Sequence, residues 1–453
     1  MAAPPAPTPP LPPPLTTSRP DASAEIGSAA ASADLKGVGR SKVYRAEAEA
    51  PLPLWPVTLM IAAYPLWFLL GLGGFMWVVL AAPMAASLIR RRDLQAPKGI
   101  TLWLVFLIAV AGSAFSLDDV GRAAGYALRA GYYGSATVFL LYLLNGRASI
   151  AIPRIIRAFV ALWFATVIGG YLALVVGDVS FRSPMYYLMP GALLQNELIN
   201  TLVTPGFADL QDIIGFPVPR PKAPFPYTNS WGSMMALTTP FAVMAMLDER
   251  VGISRPMLRL GLIAAVVPAV VSLNRGLWLS LGVAAVYVAL RLGLDGQTRN
   301  VARLAIAAMV LGLALSFSPL GSLIASRIDS GHSDDDRLAL AIAAVEGAVE
   351  RPVFGWGAPR PNGNQPSVGT HGQIWMVTFS HGFVGIVGFM GALASFAWHT
   401  RKQQTAAGLW AHAVLVVAFV QSPFYLMIPH ALFAVLGAVA VALRYQQELA
   451  GDR

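Results

Sequence analysis

Residues Ile155 to Val176 read IIRAFVALWFATVIGGYLALVV, an apolar run whose one charge, Arg157, stands near its start. A helix rises about 1.5 Å per residue, so a run of this length covers a hydrocarbon core of about 30 Å. The same pattern repeats outward in both directions. Apolar runs near 54–70, 74–89, 100–117, 123–144, 155–176, 230–247, 257–273, 276–292, 301–318, 375–397, 409–424 and 429–445 alternate with polar breaks. The reading is an all-α polytopic membrane protein with about twelve transmembrane helices. Gly71, Gly73 and Gly74 place a tight turn between the first two spans.

Composition agrees. The 453 residues are 56% hydrophobic and 12% charged, with mean hydropathy +0.60. Soluble domains carry about 25% charged residues, so an ordinary globular enzyme is excluded. Cysteine is absent, which excludes disulfides, thiolate metal sites and cysteine nucleophiles. The net charge of +9 needs no nucleic-acid partner, because cytoplasmic loops of membrane proteins collect Lys and Arg.

Basic residues set the orientation. Arg90, Arg91, Arg92 and Lys98, then Arg147, Arg154 and Arg157, then Arg250, Arg255 and Arg259, then Arg291, Arg299 and Arg303, then Arg401 and Lys402 fall in one alternating set of breaks. These read as cytoplasmic. Both termini are then cytoplasmic, and two long loops, 177–229 and 319–374, are extracytoplasmic. Residues 1–53, with eight prolines between Pro4 and Pro14, read as a disordered Pro/Ala-rich cytoplasmic tail and not a signal peptide. Residues 54–445 form the membrane domain, and 446–453 a short cytoplasmic tail.

The outer loops carry their own patterns. A short helix is expected around 192–202. Pro217 to Pro226 reads as a stiff extended strap. An amphipathic helix is expected over Asp334–Glu350, with Ser333 or Asp334 as N-cap and Leu338, Ile342, Val345 and Val349 as its apolar stripe. That stripe can lie on the membrane surface or on the bundle.

Charges beside spans are expensive and draw attention. Arg122, Tyr126, Arg129 and Tyr133 share one face of the fourth span. Arg122 can snorkel to headgroups, whereas Arg129 lies about two turns deeper, where a guanidinium suits an anion. Arg275, in Ser272-Leu273-Asn274-Arg275-Gly276, is either a topological break or an anion ligand. His332, His371, His381 and His430 belong to the outer side, and His399 and His412 read as solvated at cytoplasmic helix ends. A histidine there can serve as general base toward a sugar hydroxyl. His371 and His381 stand ten residues apart and do not share an ideal helical face. Asp334, Asp335 and Asp336 suit a helix N-terminus better than a metal.

Four stretches together resemble the O-antigen ligase and O-antigen polymerase superfamily of bacterial membrane glycosyltransferases. They are Pro226-Tyr227-Thr228-Asn229-Ser230; Ser272-Leu273-Asn274-Arg275-Gly276; Asp336-Arg337 through Arg351-Pro352-Val353-Phe354-Gly355-Trp356-Gly357; and Thr370-His371-Gly372 followed by Gly382-Phe383-Val384-Gly385. The likeness covers order and spacing from about Leu54 to the end. Gly372 stands where the family has Asn, and Asn274 where a serine is common.

The resemblance implies a GT-C-like enzyme of the bacterial plasma membrane, with its active site on the extracytoplasmic side. The donor would be a glycan on a polyprenyl diphosphate, and the acceptor a glycan or lipid hydroxyl. No metal or cofactor is implied. Arg275, Arg129, Arg122, Arg337 and Asn229 are the expected diphosphate or substrate ligands. His371 is the expected base, with His381 as its alternative. Two other classes compete: a polysaccharide or lipid-linked sugar transporter using the same arginines, and an envelope scaffold suggested by the Pro-rich tail.

Overall fold

The computed structural model describes residues 51–212, 215–329, 334–362 and 365–451, which belong to one unit starting at Ala50. Residues 1–50 of the tail expected over 1–53, His332 and the N-cap Ser333 lie outside the described residues, and the end of that tail is packed: Leu52 is buried and Pro53 O accepts from Tyr142 OH at 2.6 Å. The first half runs α1 (Trp55–Ile61), α2 (Tyr64–Leu69), α3 (Met76–Ile89), α4 (Ile100–Ser113), α5 (Val120–Asn145) and α6 (Ile152–Val176). A long connection follows with α7 (Pro184–Leu188), α8 (Gly191–Leu194), α9 (Glu197–Val203), β1 (Ala208–Asp212) and β2 (Pro217–Pro221). Then come α10 (Thr228–Leu247), α11 (Arg255–Val271), α12 (Arg275–Leu294), α13 (Thr298–Ser316), α14 (Pro319–Asp329) and α15 (Asp334–Glu350). Strands β3 (Arg360–Asn362) and β4 (Gln365–Val368) lead into α16 (Gln373–Thr400), α17 (Ala406–Gln421) and α18 (His430–Gly451).

The chain is mostly helical with little sheet, as expected. Among the described residues, five helices, α6, α10, α12, α13 and α16, are long and apolar enough to cross a membrane, and α3, α4 and α17 are shorter apolar helices. Helix α13 has no buried residue, and Ile306, Met309, Val310, Leu311 and Leu313 stand exposed on it. Water does not tolerate such a surface, whereas lipid does. The interior is filled by large rings. Trp77, Trp103, Trp163, Trp231, Tyr133 and Tyr142 are among the fully buried side chains.

Several expectations are corrected. The first span divides into α1 and α2 at Ala62-Ala63. The helix near 192–202 is two, α8 and α9, with Asn196 capping the second through Ile199 N at 3.3 Å. The proline strap is extended over 217–221, and it gains a partner that the sequence did not show: it pairs antiparallel with β1, Arg220 opposite Asp209. His412 is buried and its Nδ1 lies 2.8 Å from Thr400 Oγ1. The supposed tail 446–453 is helical to Gly451, because polar partners hold it. Gln446 reaches Lys402 O at 2.9 Å, Gln447 meets Arg147 at 3.0 Å, and Glu448 meets Arg250 at 3.0 Å.

Those contacts draw several basic breaks together at one end of the bundle. At the other end, hydrogen bonds join the two long loops to the α11–α12 and α17–α18 turns. Arg220 donates to Ser272 O, Arg327 to Leu273 O, and Gln373 N to Tyr425 O.

Helix α16 is broken. Gly382 has φ 67° and ψ −168°, a conformation that suits glycine. The segment after α15 supplies the missing partners: Trp356 N donates to Phe379 O at 3.0 Å, Gly357 N to Ser380 O at 2.7 Å, and Phe383 N to Pro352 O at 2.7 Å. Irregular backbone among apolar helices persists only where protein satisfies it in this way.

Candidate functional site

The α11–α12 hairpin is the centre of the loop-bearing end. Helix α11 ends at Val271, Leu273 takes φ 51°, and Asn274 caps α12 through Leu277 N at 3.2 Å. The last carbonyls of a helix lack intrahelical donors. Here two arginines from different loops supply them. Arg220 Nε lies 2.8 Å from Ser272 O, and Arg327 Nε 3.1 Å from Leu273 O. Both arginines are buried. Arg220 is further held by Gln211 Oε1 at 2.5 Å.

Arg337, on the first turn of α15, brings a third guanidinium within electrostatic reach of Arg220, Tyr425 and His371. Its side chain makes no hydrogen bond or ion pair among the described residues. Burial, joined by repulsion from Arg327 and Arg337, pushes Arg220 down to about 10. Burial pushes the Tyr425 phenol up to about 12. That phenol donates to Asn274 Oδ1, while Asn274 Nδ2 is buried without a partner among the described residues. Guanidiniums within electrostatic reach of one another favour an anion between them.

His371 lies half-buried beside Arg337. Its Nδ1 is 2.9 Å from Thr370 Oγ1, and that hydroxyl donates its proton to Ser367 O at 2.6 Å. Thr370 must therefore accept from His371 Nδ1–H, which leaves Nε2 with the open lone pair. Burial, and secondarily Arg337, hold the imidazole below its ordinary pKa, so it is neutral at pH 7.

His381 repeats this chemistry in a closed setting. Its Nδ1 is 2.9 Å from Ser113 Oγ, whose proton goes to Val110 O at 2.7 Å. The ring is 2% exposed and sits edge-on to Phe106 and Tyr133.

Arg129 lies within electrostatic reach of His381, Tyr132, Tyr133 and Tyr227. Its guanidinium folds back over Gly125, where a Cβ would stand 2.8 Å from Nη1. It makes no hydrogen bond or ion pair among the described residues. Gln373 bridges this group to the arginine cluster. Its Nε2 donates to Tyr133 OH at 2.9 Å, its Oε1 accepts from Met427 N at 2.9 Å, and its backbone N donates to Tyr425 O at 2.9 Å.

The remaining expected ligands differ in setting. Arg275 is half-buried in the first turn of α12 beside the hairpin, and its side chain is engaged in further interactions. Asn229, half-buried in the first turn of α10, makes no side-chain hydrogen bond among the described residues. Arg122 stands apart from the cluster. It holds the loop after α15, donating to Trp356 O at 2.6 Å, Ala358 O at 2.9 Å and Pro359 O at 3.4 Å, and it pairs with Asp118.

Sequence reading missed Arg220, Arg327, Thr370, Gln373 and Tyr425. A lone arginine between Pro219 and Pro221, in the segment read as a stiff strap, was the available signal. No family model matches the chain, and no curated protein matches it.

Proposed function

We propose that this chain is a multi-pass glycosyltransferase of the bacterial plasma membrane, GT-C-like, with about twelve spans and both termini cytoplasmic. It transfers or polymerises glycan from a polyprenyl-diphosphate donor onto an acceptor hydroxyl at the extracytoplasmic face. The observation that carries this reading is that Arg220 and Arg327 bind the 272–274 hairpin with Arg337 within electrostatic reach of Arg220, and that His371, also within reach of Arg337, keeps an open Nε2.

The chemistry divides between the two groups. The acceptor O–H attacks the anomeric carbon, and His371 Nε2 takes its proton. The bond from that carbon to the diphosphate oxygen breaks, and its electron pair leaves with the lipid diphosphate. Arg220, Arg275 and Arg337, with Arg129 nearby, stabilise the charge that grows on that oxygen. The burial of Arg220 strengthens this attraction by excluding water.

The test is a purified-protein assay with a polyprenyl-diphosphate-linked glycan and an acceptor. Free lipid diphosphate and a conjugated or elongated glycan should appear together. A donor recovered intact on the far side of a vesicle would replace transfer with transport. Sidedness is checked separately in intact cells with an impermeant thiol reagent. Exposed Gln195→Cys should react, and exposed Gln297→Cys should react only after lysis. The reverse pattern overturns the orientation.

A further inference from the structure

Helix α15 shows which of its faces the bundle uses. Leu340, Ala341, Ala344 and Ala348 are buried, and the helix packs along α16. The stripe of Leu338, Ile342, Val345 and Val349 is left 60%, 49%, 38% and 64% exposed. At about 100° per residue the stripe lies roughly a quarter turn from the buried face, and Glu346 and Glu350 lie beyond it. Val353 and Phe354 extend the exposed apolar surface past the helix end. An apolar stripe exposed on the side away from the protein core, with its acids beyond it, suits contact with lipid better than with water.

The end of that stripe carries a cationic aromatic group. Trp356 is locked by its indole N–H to Gly347 O at 2.8 Å and by its backbone N–H to Phe379 O at 3.0 Å. The guanidiniums of Arg351 and Arg360 lie 4.0 Å and 3.7 Å from its ring centroid. Arg360 is paired with Asp118, which it shares with Arg122. Arg351 is exposed, and its side chain makes no hydrogen bond or ion pair among the described residues. An exposed guanidinium stacked on an interfacial tryptophan, with its donor fork unused, is complementary to a phosphate.

The geometry points to a lipid-docking site in which the α15 stripe enters the leaflet and Arg351, on Trp356, binds the phosphate of an anionic phospholipid. The site is separate from the 272–274 hairpin and does not depend on the transfer reaction.

The absence of cysteine allows single fluorophores to be placed on the full chain in phosphatidylcholine vesicles containing some phosphatidylglycerol. A label on Val345→Cys should be quenched by acyl-chain nitroxides and shielded from aqueous iodide, and one on Glu346→Cys should behave oppositely. A label on Val353→Cys should favour nitroxide-labelled phosphatidylglycerol over labelled phosphatidylcholine by about fivefold, the expected weight of one arginine near a headgroup. Adding Arg351→Gln should remove that preference and leave the quenching at Val345 unchanged. Arg351 is on the surface, so this variant should fold. Three results overturn the proposal: iodide reaching Val345, Val345 shielded from both quenchers as by a protein partner, or equal quenching by the two lipids at Val353.

Discussion

Two histidines at the loop-bearing end make the same hydrogen bond and differ in everything else. In each, a hydroxyl that has spent its proton on a carbonyl accepts from Nδ1, so Nε2 keeps the lone pair. His371 is half-open and stands by Arg337 in the loop region. His381 is enclosed by Phe106 and Tyr133 next to the break in α16. Local hydrogen bonding therefore prepares a base in both places, and access separates them. The same division runs through the arginines. Arg122 spends its donors on the loop over the α16 break, while Arg337 and Arg129 keep theirs.

The largest expected effect tests access directly. His371→Ala should leave donor binding near normal and lower turnover by about 10²–10⁴-fold, as loss of a general base does. Added imidazole should restore part of the rate, because the site is half-open. His381→Ala should lose less turnover and gain nothing from imidazole. A larger, imidazole-sensitive loss at His381 would move the base into α16.

The second test asks whether the α16 break is structural. Gly382→Ala places a Cβ 2.6 Å from Val353 O at a positive φ. It should destabilise the detergent-solubilised protein by about 1–3 kcal/mol, read as a lower melting temperature. Gly134→Ala is the control, since a Cβ there meets nothing within 4 Å. Equal melting temperatures would remove the constraint assigned to Gly382.

A third comparison separates the two arginines of α5. Arg129→Lys keeps the charge and loses the fork, so turnover should fall about tenfold with expression preserved. Arg122→Lys should act through the loop it holds, as faster proteolysis within residues 356–360. Near-normal turnover in Arg129→Lys would reduce that residue to packing.

The smallest effect is a pH shift. Protonation of His371 abolishes its action as base, so turnover should rise with pH through its pKa, which lies below the ordinary histidine value. Arg337→Gln removes a repulsion against the imidazolium and raises that pKa. The acid limb of the rate profile should therefore move to higher pH, by less than about one unit. A shift to lower pH would mean that His371 is not the group titrating.

Helices and their approximate limits were legible because apolar side chains must leave water wherever they sit along the chain. Each stretch read as a span coincides with a helix, the first with a helix pair. Arg129 and His371 were legible as chemistry out of place beside apolar runs, and Arg337 only through the family resemblance. Arg220 was not, since β pairing turned the strap inward and a hydrogen bond to Ser272 O gave it a place. Gln373 and Tyr425 were also invisible, because their partners lie far away in sequence.

By itself the sequence determined composition, the apolar runs and hence the helical class. It also determined the periodic stripe on α15, because burial and periodicity are local properties of a chain. Only the tertiary structure decided that the stripe faces away from the bundle, that Arg122 binds backbone and not an open site, and that Arg220 and Arg327 from separate segments meet at one hairpin with Arg337 within electrostatic reach. Those outcomes depend on which distant carbonyls and cations the folded chain brings within a few ångströms, a relation that no run of neighbouring residues encodes.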